Sequence, residues 1–288
     1  MNALYKRELR SYFHGLIGWL YCTVYLVWVG VFFLFINLQG LYPQFETALS
    51  YHTLILLLIV PILTMRSFAE EKRQKTDQLL FSLPLSMTKI VLAKYFAILT
   101  VIAIPMLVTC LYPLILQLFG TVNLLETYAS IFATFLFAAL LAALGVFLSC
   151  LSETPAIAAI LSLVVNAVLF FLTQLIGSQL STSSLTSLVA ILVLIVLVAL
   201  IVYLLTKSFV ASYVFGALFA GGTVLLYFFK KELFAGAING WISALSPIDR
   251  IEPFMSGIFD LGSVVYFLSG VALFLFFSIQ AEEKRRWS

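Results

Sequence analysis

From residue 16 to residue 38 the chain runs without one charged side chain, and apolar runs of similar length recur to its end. A transmembrane helix needs roughly 20 largely apolar residues, and a charge at its centre costs about 2.5–3.5 kcal/mol. Candidate spans on this criterion fall near 16–38, 50–65, 91–118, 127–151, 156–176, 187–206, 209–229 and 262–280. A soluble core does not account for them. Only 10% of the residues are charged and 63% are hydrophobic, whereas a soluble domain carries about 25% charge. The sequence reads as an all-α polytopic integral membrane protein with about eight transmembrane helices, or six if 187–229 is not a pair of spans. The second run is the shortest, and Pro105 and Pro113 predict a kinked third span.

The first run is too long for the apolar core of a secretory signal, and no small-residue cleavage pattern follows it. It is expected to stay in place as the first span. With the N-terminus inside, thirteen of the sixteen Lys and Arg residues lie on the cytoplasmic side. Only Lys230, Lys231 and Arg250 remain outside, a strong positive-inside bias. Both basic termini are therefore expected in the cytoplasm, which requires an even number of spans. The whole chain, 1–288, reads as one membrane domain. Residues 1–15 form a candidate amphipathic interfacial helix: Leu4, Tyr5, Leu9, Tyr12 and Phe13 share one half-circle, and Lys6, Arg7 and Arg10 the other. Glu8 sits on the apolar side and breaks the pattern. Residues 230–261, too polar to span and too apolar for a solvated loop, predict short re-entrant or interfacial helices outside.

The chain lacks most catalytic signatures. No G-x-x-x-x-G-K-[ST], H-E-x-x-H or G-x-S-x-G occurs, so no phosphate-cradling loop of its own is expected. Cys22, Cys110 and Cys150 have no metal-ligand spacing, and His14 and His52 stand alone at span boundaries; neither a bound metal nor a nucleic-acid partner is expected. The middles of the spans lack the ionisable residues that ion-coupled transporters need. Asn166, Thr173 and Gln174 on the fifth run are candidates for a pathway, or alternatively for polar contacts between helices. Ala138/Ala142 and Ala139/Ala143 form small-xxx-small pairs that permit close helix packing.

Residues 66–90 are different in kind. "RSFAEEKRQKTD" packs Arg66, Glu70, Glu71, Lys72, Arg73, Lys75 and Asp77 into one short stretch. Glu71 and Lys75 are spaced for an i,i+4 pair, Thr76 is placed to cap a new helix, and Leu79, Leu80 and Leu83 share a face that Pro84 ends. Ser86 is placed to cap the third span. The positive-inside rule asks only for Lys and Arg; the acids and the short amphipathic helix suit docking to another protein.

"FAEEKRQKTDQLLFSLPLSMTKIVLAKY" resembles the coupling segment of ABC-2-type permeases. Glu71, Arg73, Thr76, Leu79, Leu80, Pro84, Leu85, Ser86 and Lys94 match that pattern, while Lys75 stands where a glycine is usual. "CLSETPAIAAILS" resembles the second cytoplasmic turn of the family. The C-terminal "LSPIDRIEPFMSGIFDLGSVVYFLSGVALFLFFSIQAEEKRRW" resembles the branch of gliding-motility-associated and copper-enzyme-maturation permeases. The resemblance implies a type V exporter-like architecture in a plasma membrane, of the bacterial cytoplasmic kind, with 187–229 an inserted helix pair. It implies a non-catalytic subunit that itself binds no cofactor, served by a cytosolic ABC ATPase dimer holding ATP and Mg. A coupling helix at about 76–84, with Glu71, Arg73 and Asp77 beside it, would meet that ATPase, and Glu153 would form a second contact. A second permease copy, the same or related, would complete the pathway in the bilayer. Trp241, Pro247 and Phe254 would belong to an extracellular gate, and an extracellular accessory protein is a further implied partner. Two other readings stand beside an exporter: an ATPase-coupled assembly or sensor that moves no substrate, and a secondary transporter.

Overall fold

The computed structural model describes residues 1–78, 85–178, 188, 192, 195, 199, 209–229 and 246–287. Among these every regular element is helical. The chain divides into two compact units, Met1–Ala167 with Arg250–Ser288, and Val168–Asp249. The helices are α1 (Asn2–His14), α2 (Leu16–Phe32) continued by a π-helical stretch (Phe33–Gln39), α3 (Phe45–Ser50), α4 (His52–Thr64), α5 (Ala69–Arg73), α6 (Met87–Thr109), α7 (Leu111–Gln117), α8 (Leu124–Leu151), α9 (Pro155–Ser178), α10 (Phe209–Phe229), α11 (Glu252–Met255) and α12 (Leu261–Trp287).

Five stretches among the described residues are long and apolar enough to cross a membrane: Leu16–Gln39, His52–Arg73, Met87–Gln117, Leu124–Leu151 and Leu261–Arg286. They fall on five of the expected runs. Helices α9 and α10 cover two more, at 156–176 and 209–229. The run at 187–206 lies outside the described residues, isolated positions apart. Two helices run past the apolar stretches that mark them. The third span begins at Met87, directly after Ser86 as the cap placement expects, so Lys94 stands two turns inside it. The last helix continues to Trp287, so Glu282 belongs to its final turns.

Helix α8 is the centre of the first unit. It packs against α12, α4 and α6, and 83% of its apolar window is buried, against 28% for the first span and 22% for the last. Its Ala138, Ala139, Ala142 and Ala143 are all buried, and Gly145 continues that run of small residues. A Cβ built on Gly145 would lie 2.1 Å from Thr64 Oγ1 and 2.8 Å from Thr64 Cβ, so α4 and α8 approach as closely as the absence of a side chain allows. The first span, α2 with its π-helical continuation, and α12 instead expose Trp19, Val27, Phe35, Val265, Leu268 and Phe276, as lipid-facing surfaces do.

Two prolines leave a trace in the spans. The third span breaks at Cys110, between α6 and α7. Pro113 lacks the N–H that would reach the carbonyl of Thr109 one turn earlier. The Thr109 hydroxyl turns back to donate to Pro105 O at 3.0 Å. In α4, Pro61 similarly deprives Leu57 O of its helical donor. Asn166 of α9, almost fully buried, supplies the missing bond: its Nδ2 donates to Leu57 O at 3.1 Å. Here the buried amide ties two helices together across a proline gap. Asn166→Leu is expected to cost about 1–3 kcal/mol, because it strands a buried carbonyl. With Pro61→Ala also present, Leu57 O regains a backbone donor and the added cost of Asn166→Leu should fall below about 1 kcal/mol. Thermal unfolding of the four proteins in detergent checks this, and an equal cost in both backgrounds would refute the assignment.

Toward the other end of the spans, α11 is a single turn capped by its own backbone. Phe254 is buried there, its carbonyl accepting from Ser130 Oγ of α8 at 2.6 Å and its ring edge-on to Phe259. Asp260 then opens α12, accepting from Ser263 Oγ and from the N–H groups of Gly262 and Ser263. The Ser263 hydroxyl, followed by the Gly262 N–H, holds the Asp260 carboxyl below its usual range.

Candidate functional site

The charged stretch that sets this sequence apart forms a tightly tied base beneath the helices. Past α4 the chain turns at 65–68 and re-enters helix as α5. The N–H groups of Phe68 and Ala69, orphaned at this helix start, donate to Ser149 Oγ of α8 at 3.0 and 3.1 Å. The Ser149 hydroxyl in turn donates to Met65 O at 3.2 Å. A serine near the end of one helix thus caps the beginning of another, a pairing invisible to local sequence.

Helix α5 ends in a Schellman turn. Thr76 N–H donates to Glu71 O, Lys75 N–H to Lys72 O and Gln74 N–H to Glu70 O. Lys75 therefore sits at φ +54°, in the left-handed region. That is the conformation a glycine adopts freely, and the turn forms here with lysine in its place. The expected Glu71–Lys75 pair does not form, because the helix has already ended and Lys75 faces away. Lys75→Gly should raise stability by up to about 1 kcal/mol, measured as a higher unfolding temperature; a fall would mean that the Lys75 side chain contributes more than its backbone strain costs.

The acids of this stretch engage three different helices. Glu71 pairs with Arg7 of α1 at 3.2 Å and with Lys94 of α6 at 3.0 Å. Lys94 is 2% exposed and also donates to Ser67 O at 2.7 Å. Glu8 closes the cluster, 2.7 Å from Arg7 and 3.5 Å from Lys94. That is why an acid occupies the apolar face of α1: this face packs on α6, and Lys94 needs a counter-charge there. The neighbouring Glu8 holds the Arg7 guanidinium above its ordinary range. Asp77 pairs with Arg285 of α12 at 2.8 Å. Deepest is Lys72, which lies 2.7 Å from Glu282 of α12 with both side chains nearly fully buried and also donates to Cys150 O. Glu70 stays local, accepting from Arg73 and Gln74 at 2.7 Å each.

The structure thus gathers Glu71, Asp77 and the flanking Arg73 and Thr76 into one region of the first unit, with Arg73 exposed. The Thr76 hydroxyl reaches back toward Glu71 O at 3.4 Å rather than forward. Ser86 occupies the N-cap position of α6, but its hydroxyl caps nothing; its carbonyl receives Lys89 and Ile90 N–H. Leu79, Leu80, Leu83 and Pro84 lie outside the described residues, as does Trp241. Glu153 is exposed in the α8–α9 turn, where Thr154 Oγ1 accepts from Ile157 N–H at 3.4 Å. Thr173 and Gln174 fall on α9, but their side chains lie outside those described. Pro247 belongs to a turn at 247–250. Sequence reading did not find Glu8, Lys72, Ser149 or Glu282. The signal for Glu8 was its intrusion into an apolar face and that for Lys72 its place in the charged stretch; Ser149 and Glu282 carried none.

Between α1 and the α4–α5 turn lies a cleft of 680 Å³, lined by both signs of charge. Among the described residues no group of His, Cys, Asp and Glu is arranged to hold a metal ion.

No curated protein matches the chain at a significant level. Residues 37–186 match the family model described as ABC-2 family transporter protein. That range runs from the end of the first span through the charged base and α8 and past the end of α9, over half of the chain. The chain therefore belongs to the ABC-2 transporter family and is a membrane permease component of an ABC transporter.

Proposed function

We propose that this chain is the membrane half of an ATP-driven exporter. A separate cytosolic ATPase docks on the segment around 76–84 and drives movement of the helices it is tied to. The observation that carries the reading is the anchoring of residues 70–77. Ion pairs from this one stretch reach α1, α6 and α12, so a displacement applied there is delivered to three helices together. A loop that served only to set topology would need none of these acids. Glu71 and Asp77 then act as the anchors of the coupling segment, while Leu79, Leu80 and Leu83 offer the apolar docking face and Glu153 a second contact. ATP and Mg belong to the partner. A second permease copy, the same or related, completes the pathway in the cytoplasmic membrane, with the region around Pro247 and Phe254 at its outer mouth.

The test replaces Leu79 and Leu80 together with Asp. In affinity purification from native membranes, the wild-type chain should bring down an ATPase that lacks membrane spans, and the variant should lose it while inserting normally. Retention of the ATPase by the variant would remove the docking face from 79–80. ATP hydrolysis in vesicles without movement of any substrate would favour the assembly or sensor reading over export.

A further inference from the structure

The 680 Å³ cleft shares Arg7, Glu8, Glu71 and Lys94 with the anchoring network but also holds groups that the network leaves over. Its walls are α1, the start of α2, Arg66 in the α4–α5 turn, α5 and Lys94 of α6, so it lies where the first span begins at the basic end of the bundle. Three features inside it lack partners. Arg66, exposed at the mouth, has no carboxylate or hydrogen-bond partner among the described residues. Tyr12 is 8% exposed, and its hydroxyl makes no hydrogen bond. Tyr12 lines the cleft together with Glu8, Arg66 and Glu71, and burial pushes its phenol above the usual range. The first turn of α2 borders the cleft through Gly15 and Ile17; Gly15 N–H is taken by Ser11 O, but no side chain caps the N–H groups that follow at this positive helix end.

Guanidinium, phenol and helix N-terminus together form a site for a phosphate oxygen. The cleft is not simply cationic, however, because Glu8, Glu70 and Glu71 line it beside Arg7, Arg66 and Lys94. Balanced walls of this kind disfavour a ligand of net negative charge and suit one that carries its own cation. Just outside, Leu16 is 83% exposed, Trp19 60% and Leu20 50%, a lipid-facing strip with an interfacial tryptophan. We propose that the cleft binds the headgroup of a zwitterionic glycerophospholipid from the adjoining leaflet. The phosphate sits on Arg66, Tyr12 and the first turn of α2, the ammonium lies toward Glu70, and the acyl chains run along Leu16 and Leu20. A lipid held there wedges α1 against the spans, in contact with the helices that the coupling segment also grips.

The chemistry admits a free phosphate as well as a lipid, so the test separates them. The full-length chain, delipidated in detergent, is titrated with phosphatidylethanolamine, phosphatidylglycerol or inorganic phosphate, and bound ligand is counted by native mass spectrometry. No ATPase is needed, so failure here leaves the exporter reading untouched. The expected result is one tightly held phosphatidylethanolamine per chain, bound about tenfold or more weakly by Arg66→Gln and more weakly also by Tyr12→Phe. Lys284→Gln, a change of the same kind on the last helix, should bind as wild type does. Equal retention of both lipids by wild type and Arg66→Gln would reduce the site to ordinary annular lipid and overturn the proposal. Tighter binding of phosphatidylglycerol would overturn the zwitterion. Arg66-dependent binding of inorganic phosphate that displaces the lipid would assign the cleft to a soluble anion instead.

Discussion

Replacing Glu282 with leucine is expected to destabilise the protein by about 3–5 kcal/mol, the cost of stranding one member of a buried ion pair. Lys72 is the member left behind, with 3% of its side chain exposed and only Cys150 O still accepting from it. The double replacement of Lys72 and Glu282 by leucine should recover most of that loss. An apolar pair of similar volume avoids the desolvation cost that the charges bear, and such exchanges are often neutral or stabilising. Unfolding of the four detergent-purified proteins, read as a double-mutant cycle, tests this. If the double variant is as unstable as the single, the two side chains do not act as a pair. If it is fully stable yet loses coupling to ATP hydrolysis, the pair serves transmission rather than stability.

The second large effect belongs to Gly145. Gly145→Ala places a methyl group 2.1 Å from Thr64 Oγ1 and 2.8 Å from its Cβ, distances that force α4 and α8 apart. Overpacking of this kind typically costs about 1–3 kcal/mol, and valine should do worse. Because the clash includes Thr64 Cβ, Thr64→Ala gives little relief. Thr64→Gly in the Gly145→Ala background should restore most of the contact, less the roughly 0.5–1 kcal/mol that a mid-helix glycine costs. Recovery of monodisperse protein and of its unfolding temperature reads out both steps. A Gly145→Ala variant indistinguishable from wild type would show that the helices have slack at this crossing.

What the sequence discloses and what it withholds divides along chain distance. Apolar length is a local property, so the first run at 16–38 anticipates Leu16–Gln39 and the run at 127–151 anticipates Leu124–Leu151. Ion pairing between distant helices is not local. Glu71 shows a plausible partner four residues on, at Lys75, while its actual partners, Arg7 and Lys94, lie in other helices. The oddity of acids in a positive-inside segment was legible; their destinations were not. Asn166 was visible as a polar residue in an apolar run, and so was Pro61 as a proline in another. Only the fold brings the amide of one to the carbonyl that the other leaves unpartnered.

The pairing of Lys72 with Glu282 also has a meaning for biosynthesis. The lysine leaves the ribosome well before its carboxylate, which arrives with α12. Until then the base of the bundle holds an uncompensated cation, and the Leu57 carbonyl likewise waits for Asn166. Neutralising Lys72 and seating α12 against the bundle are therefore one event, and a chain halted before α12 can achieve neither.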